Sequence, residues 1–120
     1  MLPRDTNPRG TIFGGIILSY IDQAGAVEGN RYTRGRLVTV AMREVEFHKP
    51  VFVGDLVSFY AEATRVGRTS ITVKVVVEAE RQTEDCTRVK VTEAEVVYVR
   101  VDDAGDPVPI EKRVPREAPA

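Results

Sequence analysis

The chain has one cysteine, one histidine and no tryptophan among its 120 residues. A lone Cys86 forms neither an intrachain disulfide nor a cysteine-rich metal site, and a reducing cytoplasm is its expected compartment. It follows Glu84 and Asp85, whose charges disfavour a thiolate, so it lacks activation as a nucleophile. A lone His48 cannot build a multi-histidine centre, and no His/Cys/carboxylate set at zinc-like spacing accompanies it, so no metal is expected. Long apolar runs are also missing. Ile16-Ile17-Leu18 and Val75-Val76-Val77 are far shorter than the roughly 20 residues that cross a bilayer. Residues 1–8 are polar and broken by proline, where an export signal needs a continuous apolar segment. Neither charge dominates: Lys+Arg 17 against Asp+Glu 18 leaves −1, so no basic field favours nucleic acid or an anionic membrane. Gly10, Gly14 and Gly15 fit neither phosphate-loop pattern.

What is present is a globular composition, 42% hydrophobic and 29% charged. One domain over 1–110 is expected, followed by a loose, proline-containing tail over 111–120. Ile17, Leu18, Ile21, Ala24 and Gly25 recur at spacings of three and four, which predicts a helix over 16–30, entered through Gly14-Gly15 and stopped near Gly29-Asn30. Its small centre, Ala24-Gly25-Ala26, implies that another backbone packs close to it. Turn residues then divide a Val-, Thr- and Tyr-rich second part into strands over 37–48, 56–66, 69–81 and 87–101. Alternation is clear for Ile71, Val73, Val75, Val77 and Ala79 and for Val57, Phe59, Ala61 and Ala63. The first and last strands show mixed faces, since Val38 and Val40 have one parity and Val45 and Phe47 the other, which points to a bulge or a change of partner. With a short strand over 11–13, the class is α+β: one helix and about five strands.

Two features carry chemistry. Gly14-Gly15 opens the helix, so orphan N–H groups and the positive end of the helix dipole stand there with no side chain in the way. That suits an oxyanion, although a plain tight turn uses the same residues. Asp22 places a carboxylate in the most apolar part of the helix, where it is either a solvent-facing residue or a general base or nucleophile in a partly dry site. Asp22 lies eight residues after Gly14, about 12 Å along the axis. That is too far for both to act on one carbonyl, so a site using both draws them from different copies of the chain.

The run Asp5-Thr6-Asn7-x-x-Gly10-x-Ile12-Phe13-Gly14-Gly15, Asp22-x-x-Gly25-Ala26, Val38-Thr39-Val40, Phe47-x-Lys49-Pro50, Val53-Gly54-Asp55 and Val66-Gly67-Arg68-x-Ser70 spans about residues 4–110. In order and spacing it resembles the hotdog-fold acyl-CoA thioesterases of the YciA-like, cytosolic acyl-CoA hydrolase type. The resemblance implies a long helix wrapped by an antiparallel sheet, a homodimer at least, and further assembly as a trimer of dimers. It implies hydrolysis of acyl-CoA without a cofactor. Asp22 matches the family's helix carboxylate, Asn7 its catalytic asparagine, and Gly14 or Gly15 the helix-start glycine whose N–H polarises the thioester carbonyl, with Asn and Asp supplied by different subunits. Arg68 and Lys49, and more weakly Arg43, resemble positions near the phosphates of coenzyme A. Phe13 stands where some relatives have histidine, a departure that leaves the Asn7, glycine and Asp22 set intact. His48 lies on a strand after the helix, away from the histidine motif of hotdog dehydratases, which disfavours that chemistry. The rival reading is a non-catalytic hotdog module that binds acyl-CoA as a regulatory ligand.

Overall fold

β-Branched residues at every second position suit a pleated surface buried on one side, and Ile71, Val73, Val75 and Val77 are spaced this way. The computed structural model describes residues 14–81 and 87–110. It shows one helix, α1 (Gly14–Gly29), followed by β1 (Arg36–Phe47), β2 (Leu56–Val66), β3 (Ser70–Glu80) and β4 (Arg88–Val101). The four strands form one antiparallel sheet in the order β1-β4-β3-β2. The strand expected over 11–13 and the tail over 111–120 lie outside the described residues. Gly14 and Gly15 form the first turn of α1 rather than leading into it, and Asn30 falls in the following turn while its N–H still donates to Ala26 at 3.0 Å. Among the described residues no helix is long and apolar enough to cross a membrane.

The core follows from β3. Ile71, Val73, Val75, Val77 and Ala79 are all 0% exposed, and complete burial of a Val or Ile side chain contributes about 1.5–3 kcal/mol. Register sets Thr92, Ala94, Val96 and Tyr98 of β4 beside them on the same face. Ile17 and Ile21 of α1 complete that core, and Val57, Phe59, Ala61 and Ala63 of β2 pack half-buried at its margin.

The mixed parities in β1 and β4 come from bulges. The β1–β4 register slips between Thr39 and Ala41 and again between Arg43 and Glu46. Glu44, within the second slip, has φ of 53°, a left-handed conformation that carries strain for a non-glycine residue. In β4 an extra residue opposes the Val77/Glu78 step, so Val91 and Thr92 are both buried in succession. The small centre of the helix has a different cause from the one expected. What packs against Gly25 is the ring of Tyr98: a Cβ there would overlap the Tyr98 hydroxyl and lie 3.1 Å from Cε2 and Cζ.

Glu28, which the periodicity does not single out, is a buried carboxylate near the end of α1. β2 slips register between Ala63 and Arg65, and there the Ala63 N–H donates to Glu28 Oε2 at 2.9 Å. Arg31 donates to the other oxygen at 2.9 Å. Removing this acceptor leaves an N–H without its partner, so Glu28→Ala is expected to lower stability by about 2 kcal/mol. Urea denaturation checks this, and an unchanged midpoint would contradict the role.

Candidate active site

With no side chains at Gly14 and Gly15 and no acidic residue in the first turn, the N–H groups that open α1 keep their positive potential unmasked. Gly14 lies against Phe47, where a Cβ would stand 3.2 Å from the ring, and no described residue comes within 4 Å of the corresponding point at Gly15. An open pocket of about 280 Å³ runs from Gly14 along Phe47, His48, Lys49 and Val51 to Thr92. The Thr92 hydroxyl in its wall is buried with no hydrogen-bond partner among the described residues.

The loop that forms one side of this pocket is held by Arg81, which the sequence reading passed over. Its guanidinium pairs with Asp55, donates to the Pro50 carbonyl at 2.9 Å and sits 4.8 Å from the centroid of the Phe52 ring. Asp55 also accepts from the Phe52 N–H at 2.9 Å, and Gly54 turns the chain at φ of 94°. Pro50, Phe52 and Asp55 are thus fixed from the end of β3, directly after Lys49.

Asp22 is partly buried on α1. Its Oδ1 accepts from the Thr39 hydroxyl of β1 at 2.6 Å, and its main-chain carbonyl accepts from the Tyr98 hydroxyl of β4 at 2.6 Å. Burial, reinforced by the negative charge of Asp22, pushes the Tyr98 phenol well above its ordinary range, so it remains a proton donor. Neither partner was identified from the sequence. Thr39 stands within the quoted Val38-Thr39-Val40 run, but its reach to the helix depends on strand register.

The three expected cations do not meet within one chain. Lys49 lines the pocket beside Gly14. Arg43 is paired with Glu95 at 3.5 Å on β1. Arg68 lies in the β2–β3 hairpin, where its carbonyl accepts from the Ile110 N–H at 2.7 Å, beyond the end of β2 that Glu28 contacts. Asn7 lies outside the described residues.

The structure corrects one point about His48. The sequence spacing shows no ligand set around it, yet pairing of β1 with β4 brings Glu46, His48 and Glu93 donor atoms within 4.8 Å of one another. The third member comes from a neighbouring strand, which spacing along the chain cannot reveal. Lys90 already pairs with Glu93 and, by that hydrogen bond first, lowers its carboxyl below the usual range. The group is therefore a cross-strand polar cluster in which Glu93 is already held by an ion pair with Lys90. A larger pocket of about 650 Å³ lies among Glu44, Glu46, Glu93, Glu95 and Lys74. Its carboxylates repel phosphate, and the pocket at the helix start is the better candidate site. Arg81→Ala is expected to cost about 2 kcal/mol through loss of charged hydrogen bonds. It should also speed amide exchange over 51–55, and unaltered exchange there would show that Arg81 does not hold the loop.

The family model of the thioesterase superfamily matches residues 9–86. The acyl-CoA thioester hydrolase YciA of Escherichia coli K12 is 39% identical over 114 residues, covering 92% of this chain and 86% of that protein. An uncharacterized acyl-CoA thioester hydrolase of Buchnera aphidicola is 45% identical over 112 residues, covering 88% and 80%. A hexameric hotdog-fold thioesterase of Campylobacter jejuni superposes with a TM-score of 0.85 at 46% identity, covering 92% of this chain and 84% of its own. For a hexameric thioesterase of Yersinia pestis the values are 0.84, 41%, 93% and 90%. With a helix laid on a four-stranded antiparallel sheet, and this similarity along most of its length, the chain belongs to the thioesterase superfamily and has its hotdog fold.

Proposed function

We propose that the protein hydrolyses acyl-CoA thioesters to the free acid and coenzyme A without a cofactor. The observation that carries the reading is the Asp22 carboxylate, partly buried in mid-helix and bound by the Thr39 hydroxyl, on the same helix that opens at Gly14-Gly15. Relatives that are acyl-CoA thioester hydrolases support the substrate class.

In this mechanism the Gly14 or Gly15 N–H, with Asn7, polarises the thioester carbonyl. Asp22 of the partner subunit takes a proton from water as its oxygen bonds to the carbonyl carbon. The Thr39 hydrogen bond to one carboxylate oxygen orients the group and leaves the second oxygen for water. The tetrahedral oxyanion collapses, the C–S bond breaks, and the proton held by Asp22 passes to the leaving sulfur. Lys49, Arg68 and Arg43 are the candidate phosphate contacts. Their separation within one chain suits a site assembled from two, in a dimer at least, and three such dimers would give the hexameric state of its relatives. A single cysteine and the absence of a membrane-crossing helix among the described residues support a cytoplasmic setting. An acyl-CoA-binding module without turnover needs no such carboxylate.

Release of free thiol from short- to long-chain acyl-CoAs tests the reading. Asp22→Ala should lower kcat about 10²–10⁴-fold while the oligomer stays folded. Near-normal turnover in that variant would overturn the role of Asp22, and binding without turnover by the wild type would favour the module.

The shared site has its own test. Co-expressed Asp22→Ala and Asn7→Ala chains, each inactive alone, should regain about a quarter of wild-type turnover by random pairing. No recovery in mixed oligomers would place both residues in one subunit.

A further inference from the structure

A carboxylate acting as a base must be held to within fractions of an ångström, and the structure shows two strands gripping Asp22 by different atoms. Thr39 of β1 binds the side chain, and Tyr98 of β4 binds the main-chain carbonyl, each at 2.6 Å. In a regular helix that carbonyl already accepts from the residue four positions on, so the phenol is a second donor to a satisfied acceptor. An extra bond of this kind is not needed to satisfy the helix.

Tyr98 is only 1% exposed and reaches the helix because position 25 has no side chain. Gly25 lies one turn after Asp22 on the same side of α1, so the missing Cβ and the carbonyl together form the seat of the phenol. We propose that Tyr98 is a positioning residue for Asp22, its hydroxyl fixing the helix turn against β4 so that the carboxylate meets Thr39 on β1. This rests on the reading of Asp22 as the base. The phenol is raised above its ordinary range by burial and by the charge of Asp22, so it stays a donor wherever Asp22 is ionised and able to act.

The test is Tyr98→Phe, which removes one oxygen and keeps the ring. Purified as the folded oligomer, it should show kcat lowered about tenfold with KM within about twofold of wild type, because a small misplacement of a base costs rate rather than binding. Glu28→Gln, which perturbs a buried contact at the far end of the same helix, serves as the control and should lose stability with kcat retained. Gly25→Ala drives a methyl into the hydroxyl and should lower kcat at least as far as Tyr98→Phe. In the Tyr98→Phe background the same change should cost less, since the overlapping oxygen is gone.

Wild-type kcat in Tyr98→Phe, with Asp22→Ala inactive, would overturn the positioning role and leave the base assignment standing. Equal kcat losses in Tyr98→Phe and Glu28→Gln would also overturn it, by showing a general effect of helix stability. Full activity in Asp22→Ala would instead remove the reading on which the proposal rests.

Discussion

How near the helix can approach the sheet is decided at one contact. Gly25 offers α1 a place with no side chain, and the Tyr98 ring of β4 fills it. Any larger residue at 25 would lift the helix away from β3 and β4, thin the packing of Ile17 and Ile21, and draw Asp22 away from Thr39. Fold and site thus share one constraint. The sheet supplies an apolar bed because β3 is flanked on both sides and buried on its helix face, and the helix lies on that bed at a height set by a glycine and a phenol.

A net charge of −1 conceals a segregated surface. Along the β1–β4 pairing Glu46 stands directly opposite Glu93, an arrangement that repels unless a cation intervenes. Lys90 is that cation, paired with Glu93, and the His48 imidazole lies beside both carboxylates, 3.4 Å from Glu46 and 3.9 Å from Glu93. The helix start, in contrast, has glycine amides with Lys49 nearby and no acid in its first turn. The distribution of charge therefore favours an anion at one region of the chain over another, although the charges almost cancel.

Much of this was legible from residue order alone, and what was missed has a common cause. The alternation of Ile71 to Ala79 predicted the most buried strand, and the parity break in β1 pointed to a bulge or a change of partner, of which the strand has the bulge. The carboxylate in the most apolar part of the helix marked Asp22 as a candidate, and its role is the one proposed above. Those signals are local, carried by side-chain period and by residue type. Glu28, Thr39, Arg81 and Tyr98 escaped because each acts through a partner far along the chain: Ala63, Asp22, Asp55 and again Asp22. The same limit applied to Glu46, His48 and Glu93, which only strand pairing brings together. The expectation of a backbone against Gly25 was right about close approach and wrong about what approaches, since a glycine announces missing volume and not the group that occupies it.

The buried phenol also gives the fold an alkaline boundary. Tyr98 is held protonated in the folded chain above the range, near 10, in which a free phenol ionises. Below that range both folded and unfolded chains keep the proton, and the hydroxyl contributes its full share of stability. Above it the unfolded chain releases the proton while the folded one retains it, so each further rise in pH favours unfolding. The bond that holds the helix turn at Asp22 therefore ties the integrity of the sheet to proton activity in strongly basic solution. There, loss of the hydroxyl proton and loss of the helix seat at Gly25 become one event.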